Sequence, residues 1–150
     1  MIVRSLTKQQ VAAEPFSVWN AFVDLLAREG YQRLSPEQRP AHLVFFYDSE
    51  VQNGGHLQFF HNRGTEYLEE TIEALGLLGA ALHQQILREA DKLWLNRSRP
   101  GIQTLQEFSE TAMEGEFDAL DSRFYKSVPT LTEQLEAYLA SHQELFVRVT

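Results

Sequence analysis

The tightest constraint on this chain is Asn53-Gly54-Gly55, set between the apolar cluster Leu43, Val44, Phe45 and Phe46 and the pair Phe59-Phe60. Asn and Gly tolerate the left-handed backbone that closes a helix C-terminus, so the triplet predicts a helix stop followed by a sharp elbow. The chain then restarts as a helix and stops again at Asn62-Arg63-Gly64, which makes residues 56–63 a two-turn connector between longer elements.

The flanking segments carry helical periods. Val18, Trp19, Phe22, Leu25 and Leu26 recur at three- and four-residue steps, with Asn20, Asp24 and Arg28 facing away and Gly30 past the helix end. Ser35-Pro36-Glu37-Gln38 predicts the next start, with an N-cap serine and a glutamine placed for a capping box; Pro40, one turn further in, shifts that start rather than breaking the helix. Beyond the elbow, Thr65 is the N-cap candidate for a helix over 66–78 that buries Leu68, Thr71, Ile72 and Leu75. Gly76 and Gly79 precede a helix with an expected inner face of Leu82, Ile86, Ala90, Leu93 and Trp94, and the clearest loop spans 96–101. Thr104 to Glu107 reads as a capping box for a helix that buries Leu105, Phe108 and Ala112. Phe117, Leu120 and Phe124 set a further stripe with Asp118 and Asp121 displaced from it. Thr130 to Glu133 opens a last helix with Leu131, Leu135, Tyr138 and Leu139 inward. The tail 145–149 alternates like a strand and suits pairing with Ile2-Val3-Arg4. The expected fold is all-α: a single compact domain of about seven helices over residues 1–150, with the first 14 residues frayed or extended.

Composition narrows function. There is no cysteine, hence no disulfide framework or thiol nucleophile, and no early apolar run reads as a signal peptide, so the expected location is the cytoplasm. The formal charge is -8, from 21 acidic against 13 basic residues. Nucleic-acid binding needs Lys and Arg to neutralise phosphates, so the balance argues against direct DNA or RNA contact and for a basic protein partner. Arg88, Lys92, Arg97 and Arg99 make one locally basic segment against that trend. The acidic residues fall in two groups opposite the apolar stripes: Glu66, Glu69, Glu70 and Glu73, and Glu107, Glu110 and Glu114. These are the candidate partner-binding residues.

The string Glu50, Asn53, Gly54, Gly55, Gln58, Phe59, Phe60 and Asn62 resembles the motif of the bacterial domain-of-unknown-function family typified by the neisserial DNA-mimic protein. Ala74-Leu75 with Gly79-Ala80, and Leu120-Asp121 with Phe124-Tyr125, fit the same family, and the resemblance covers roughly residues 40–140. It implies an all-helical, dimeric protein without established enzyme activity and, for the named member, an acidic surface that occupies the DNA-binding face of a transcriptional regulator.

Other chemistries find less support. His42, His56, His61, His83 and His142 lack metal spacing: His56 and His61 are five apart and point about 140° from one another on a helix. No Gly-x-Ser-x-Gly elbow, phosphate loop or dinucleotide fingerprint is present, so no catalytic residue, metal or cofactor is expected. Two alternatives to a regulator-binding mimic stand beside it. One is an immunity-like or antitoxin-like neutraliser of a basic nuclease. The other is a small ligand-binding or enzymatic domain at the elbow, where amides after Gly54-Gly55 would present free N–H groups to an anion, helped by His56, Gln58 and Asn62. The elbow motif itself reads primarily as scaffold.

Overall fold

The computed structural model describes residues 1–96, 102–112 and 114–150. Strand β1 (Arg4–Leu6) leads into α1 (Lys8–Ala13), α2 (Ser17–Arg28) and a 3-10 turn (Tyr31–Arg33). The long α3 (Arg39–Arg63) follows, then α4 (Leu68–Leu77), α5 (Ala81–Leu95), α6 (Leu105–Ala112), α7 (Asp118–Lys126) and α8 (Leu131–His142). A second 3-10 turn (Gln143–Leu145) and strand β2 (Val147–Val149) close the chain. Eight helices thus stand among the described residues. The one beyond expectation is α1, which buries nothing and so shows no apolar period; it is set by a reciprocal capping box between Thr7 and Gln10. No helix among the described residues is long and apolar enough to cross a membrane.

Helix α3 is the axis of the fold, with α2, α4, α7 and α8 packed around it. Its apolar side chains interlock with theirs and with Phe146, just before β2: Tyr47, Phe60, Phe22, Leu75, Leu135 and Phe146 are all at most 1% exposed. Each such side chain contributes about 1.5–3 kcal/mol on burial, so the core is concentrated where α3 passes through it. Trp94 of α5 stacks on Phe60 with ring centroids 4.7 Å apart, and Trp19 of α2 lies 5.5 Å from Phe22. Both tryptophans therefore join the core, as their stripes predict.

The chain ends meet. β1 and β2 form a two-stranded parallel ladder with Arg4 opposite Val147 and Leu6 opposite Val149, two residues further on than the Ile2-Val3-Arg4 pairing expected. What fixes them is Gln38, fully buried at the start of α3. Its amide donates to the Ile2 carbonyl at 2.6 Å and the Leu145 carbonyl at 2.7 Å, while its oxygen accepts the Ser35 N–H at 3.0 Å. The capping box expected at Ser35 is half made, because the serine hydroxyl is buried without a partner. Pro40 sits in the first turn of α3, as expected of a proline that moves a helix start.

Three faces differ from expectation. Thr65 does not cap α4; residues 64–67 form a turn, the helix begins at Leu68 behind Tyr67, and Glu66 therefore stands before it. In α5 the inner face is His83, Ile86, Leu87 and Ala90, while Leu82 is 58% and Leu93 38% exposed. Ile86 and Ala90 of the expected stripe are buried, so the face is turned toward His83 and Leu87 at one edge and leaves Leu82 and Leu93 out, although core preference favours Leu over His. Packing chose His83, whose ring meets Phe124 edge-on at 5.1 Å. In α6 Leu105 is 82% exposed and Ala112 is exposed too; of the three residues expected inward only Phe108 packs on the core. The loop expected over 96–101, with Arg97 and Arg99, lies outside the described residues except for Asn96.

Candidate functional site

At the elbow, α3 is two helices joined across Gly54 (φ -155°, ψ 23°) and Gly55 (φ 71°, ψ -174°). Gly55 is in a region open essentially to glycine alone. The break leaves carbonyls at the end of residues 39–53 and N–H groups at the start of 56–63 without helical partners. Helix α7 supplies both. The Asp121 carboxylate accepts from the His56 backbone N–H at 2.9 Å and from His56 Nδ1 at 2.6 Å, and the Tyr125 hydroxyl donates to the Val51 carbonyl at 2.7 Å. The anion-binding geometry expected at the elbow therefore exists, and the protein's own Asp121 occupies it.

That pairing also fixes the histidine. A carboxylate only accepts, so Nδ1 carries a proton, and Nε2 shares a hydrogen bond of 2.8 Å with the Tyr47 hydroxyl. Burial, reinforced by the Asp121 and Asp48 charges, pushes the Tyr47 phenol well above its ordinary range and keeps it a donor. Tyr47 and His56 are both 0% exposed, so this Tyr–His–Asp chain is closed at its core end, while Asp121, 21% exposed, lines a cleft of about 250 Å³ with Gly54, Gly55 and Tyr125. Sequence reasoning does not single out Tyr47, and it places Asp121 only as displaced from the stripe of α7. The one sequence signal is that Asp121 and Tyr125 belong to the Leu120-Asp121, Phe124-Tyr125 motif.

The polar motif residues form a second bridge across the break, on its outer side. Asn53 donates to Gln58 at 3.2 Å, and Gln58 and Asn62 both donate to Glu50 at 3.0 and 2.8 Å. Glu50 and Gln58 thus satisfy one another's arms rather than buried backbone groups, which Asp121 and Tyr125 serve instead. Phe59 and Phe60 complete the motif from the core side. Every motif residue is accounted for by holding two helical arms at one angle.

The acidic groups lie elsewhere. Glu66, Glu69, Glu70 and Glu73 are all exposed, and among the described residues none forms an ion pair. On α4, Glu69 and Glu73 are neighbours about 6 Å apart along the axis, and Glu70 and Glu73 about 4.5 Å apart. Glu69 and Glu70 also occupy the first turn, where the helix dipole favours negative charge and no side chain caps Tyr67. The patch reaches α5: burial first, and then the Glu69 charge, raises the Asp91 carboxyl. The second group is more tied down. Glu107 is half-buried and accepts the Gln103 N–H at 3.1 Å, and Glu110 accepts from Gln106 at 3.2 Å. Glu110 and Glu114 are exposed. Arg88 and Lys92 are exposed on α5.

Among family models, one described as DMP19-like protein matches residues 32–142, a span that holds the elbow, α4, α5, α7 and α8. No curated protein and no solved structure matches the chain.

Proposed function

This chain belongs to the DMP19-like protein family, and we propose that within it the protein is a non-enzymatic binding domain whose acidic face docks on a basic protein, as a mimic of DNA on the DNA-binding surface of a regulator. The observation that carries this reading is the set of exposed carboxylates at Glu66, Glu69, Glu70 and Glu73, left without cationic partners among the described residues. Charges spaced about 4.5–6 Å along α4 are of the same order as the 3.4 Å rise per phosphate in one DNA strand. The net charge of -8 adds long-range attraction toward a basic partner. Glu110 and Glu114 are a secondary docking group, with Glu107 committed chiefly to capping.

A homodimer belongs to the same reading. Its basis is the family resemblance, and Leu77, Leu82 and Val128, each more than half exposed, are candidates for the contact. Sedimentation as a monomer at micromolar concentration would remove that part.

The test is the double change Glu69→Lys and Glu73→Lys. Stability should stay within about 0.5 kcal/mol per exposed site. Capture of the native partner, found by pull-down from the source cytoplasm and mass spectrometry, should weaken, and the fall of binding with added salt should flatten. Undiminished capture with an unchanged salt response would exclude α4 from the interface. A captured nuclease in place of a DNA-binding regulator would convert the reading to a neutraliser working by the same charge complementarity.

A further inference from the structure

A cleft of about 370 Å³ lies between the end of α2, both arms of α3 and the turn before α4. That is within the range of small-molecule sites. Its inner wall holds His42, only 7% exposed. His42 Nδ1 is 3.0 Å from the Leu26 carbonyl, which only accepts, so Nδ1 carries the proton and Nε2 presents a lone pair. No described residue donates to that nitrogen. Burial, and the nearby Arg63 charge, hold the imidazole below its ordinary range against the opposing pull of the Leu26 carbonyl, so it stays neutral.

Four charged residues line the cleft, and two are committed to ion pairs: Arg28 with Asp24 at 2.6 Å, and Glu29 with Arg4 at 3.2 Å and Arg33 at 3.3 Å. The other two are Arg63 and Glu66. The Arg63 guanidinium lies 3.7 Å over the ring of Phe46, and its nearest carboxylate, Glu50, is 3.8 Å away, too far for a hydrogen bond. Its donors are therefore open to an acceptor. His42 meets the same Phe46 ring edge-on at 4.8 Å, so the imidazole and the guanidinium both pack on Phe46. Glu66, in the turn before α4, adds a carboxylate without a cation partner among the described residues. Tyr67 and Leu68 provide apolar wall.

A cationic guest would meet Arg63, and a simple anion would meet Glu66 and leave the His42 lone pair unmatched. A zwitterion satisfies all three. We propose that this cleft binds a free α-amino acid with an apolar or aromatic side chain. Its carboxylate lies on Arg63, its ammonium donates to His42 Nε2 and Glu66, and its side chain lies along Tyr67 and Leu68. The site does not depend on the protein-binding reading above, although Glu66 is common to both.

The experiment is titration calorimetry of the full chain with L-phenylalanine and L-leucine. L-phenylalaninamide, which lacks the carboxylate, and N-acetyl-L-phenylalanine, which lacks the ammonium, serve as edited probes. At least one parent amino acid should bind saturably below millimolar concentration, and both edited forms should bind about tenfold or more weakly, because each removes a charge-assisted hydrogen bond. Arg63→Gln, at a partly exposed site, should bind phenylalanine and its amide equally while keeping the wild-type circular dichroism spectrum. The proposal is overturned if neither parent gives saturable heat at millimolar concentration, if the edited forms bind as well as the parent, or if Arg63→Gln leaves the preference over the amide intact.

Discussion

Replacing Gly55 by alanine probes the elbow directly, because the methyl group meets two independent obstacles. The first is backbone: φ of 71° with ψ of -174° is a conformation that costs a residue bearing Cβ about 1–3 kcal/mol. The second is Asp121, whose Cγ lies 2.9 Å and Oδ1 3.2 Å from where the methyl would stand, with Oδ2 closer still. Moving that carboxylate pulls it from the His56 N–H and Nδ1–H, and a buried donor left unpaired costs about 1–3 kcal/mol. One strained residue and the loss of at least one of these two bonds give about 2–6 kcal/mol as a minimum, a large part of the 5–15 kcal/mol that stabilises a typical domain. Urea unfolding with an unchanged m-value should report the loss as a lower midpoint, and the melting temperature should fall by at least about 4 °C. Gly30→Ala is the control: nothing lies within 4 Å of its Cβ position, and its φ is -72°. That change should be neutral or stabilising by about 0.4–1 kcal/mol. A Gly55→Ala protein within about 0.5 kcal/mol of wild type would refute the scaffold argument, and loss of partner capture in such a protein would make the elbow a binding site instead.

Acid should weaken the fold before the carboxylate range is reached. His83 is held below its ordinary value of 6.5 by burial and the neighbouring His56, and His42 is lowered as described. The unfolded chain therefore takes up protons that the folded chain refuses. Stability is full above pH 6.5 and declines as pH falls from there toward the lowered folded values. Asp48, raised by burial, acts in the opposite sense but only nearer 3.8. Denaturant midpoints equal at about pH 7.5 and about pH 5.5 would contradict this. Gln38→Ala should remove three buried hydrogen bonds at about 0.5–1.5 kcal/mol each. Hydrogen exchange at Arg4 and Thr150, which bond across the terminal ladder, should then accelerate ahead of exchange in α3.

The local grammar of this chain was legible without its structure. Asn53-Gly54-Gly55 marked the break because only glycine-like backbone fits there, and Thr130 with Glu133 marked a helix start that the fold keeps as a reciprocal box. The stripes of α2, α4 and α8 fell inward where expected, since apolar residues at helical steps have one way to leave water. At the edge of the α5 stripe, where Leu82 and His83 are neighbours, periodicity fixed Ile86 and Ala90 but not which neighbour turns inward, and His83 packs on Phe124. The break itself determined that orphan N–H and carbonyl groups had to be met, but not by what. Only the tertiary fold could bring Asp121 and Tyr125 from some 70 residues away to meet them, or bury Gln38 between the two chain ends. A hydrogen bond across that separation leaves no spacing rule in the sequence, because its geometry is set by how helices cross. The same holds for Glu66, moved off α4 by one unformed turn, and for the cleft that places it with His42 and Arg63. Side-chain identity gave each of these groups its chemistry, and packing decided which of them face one another.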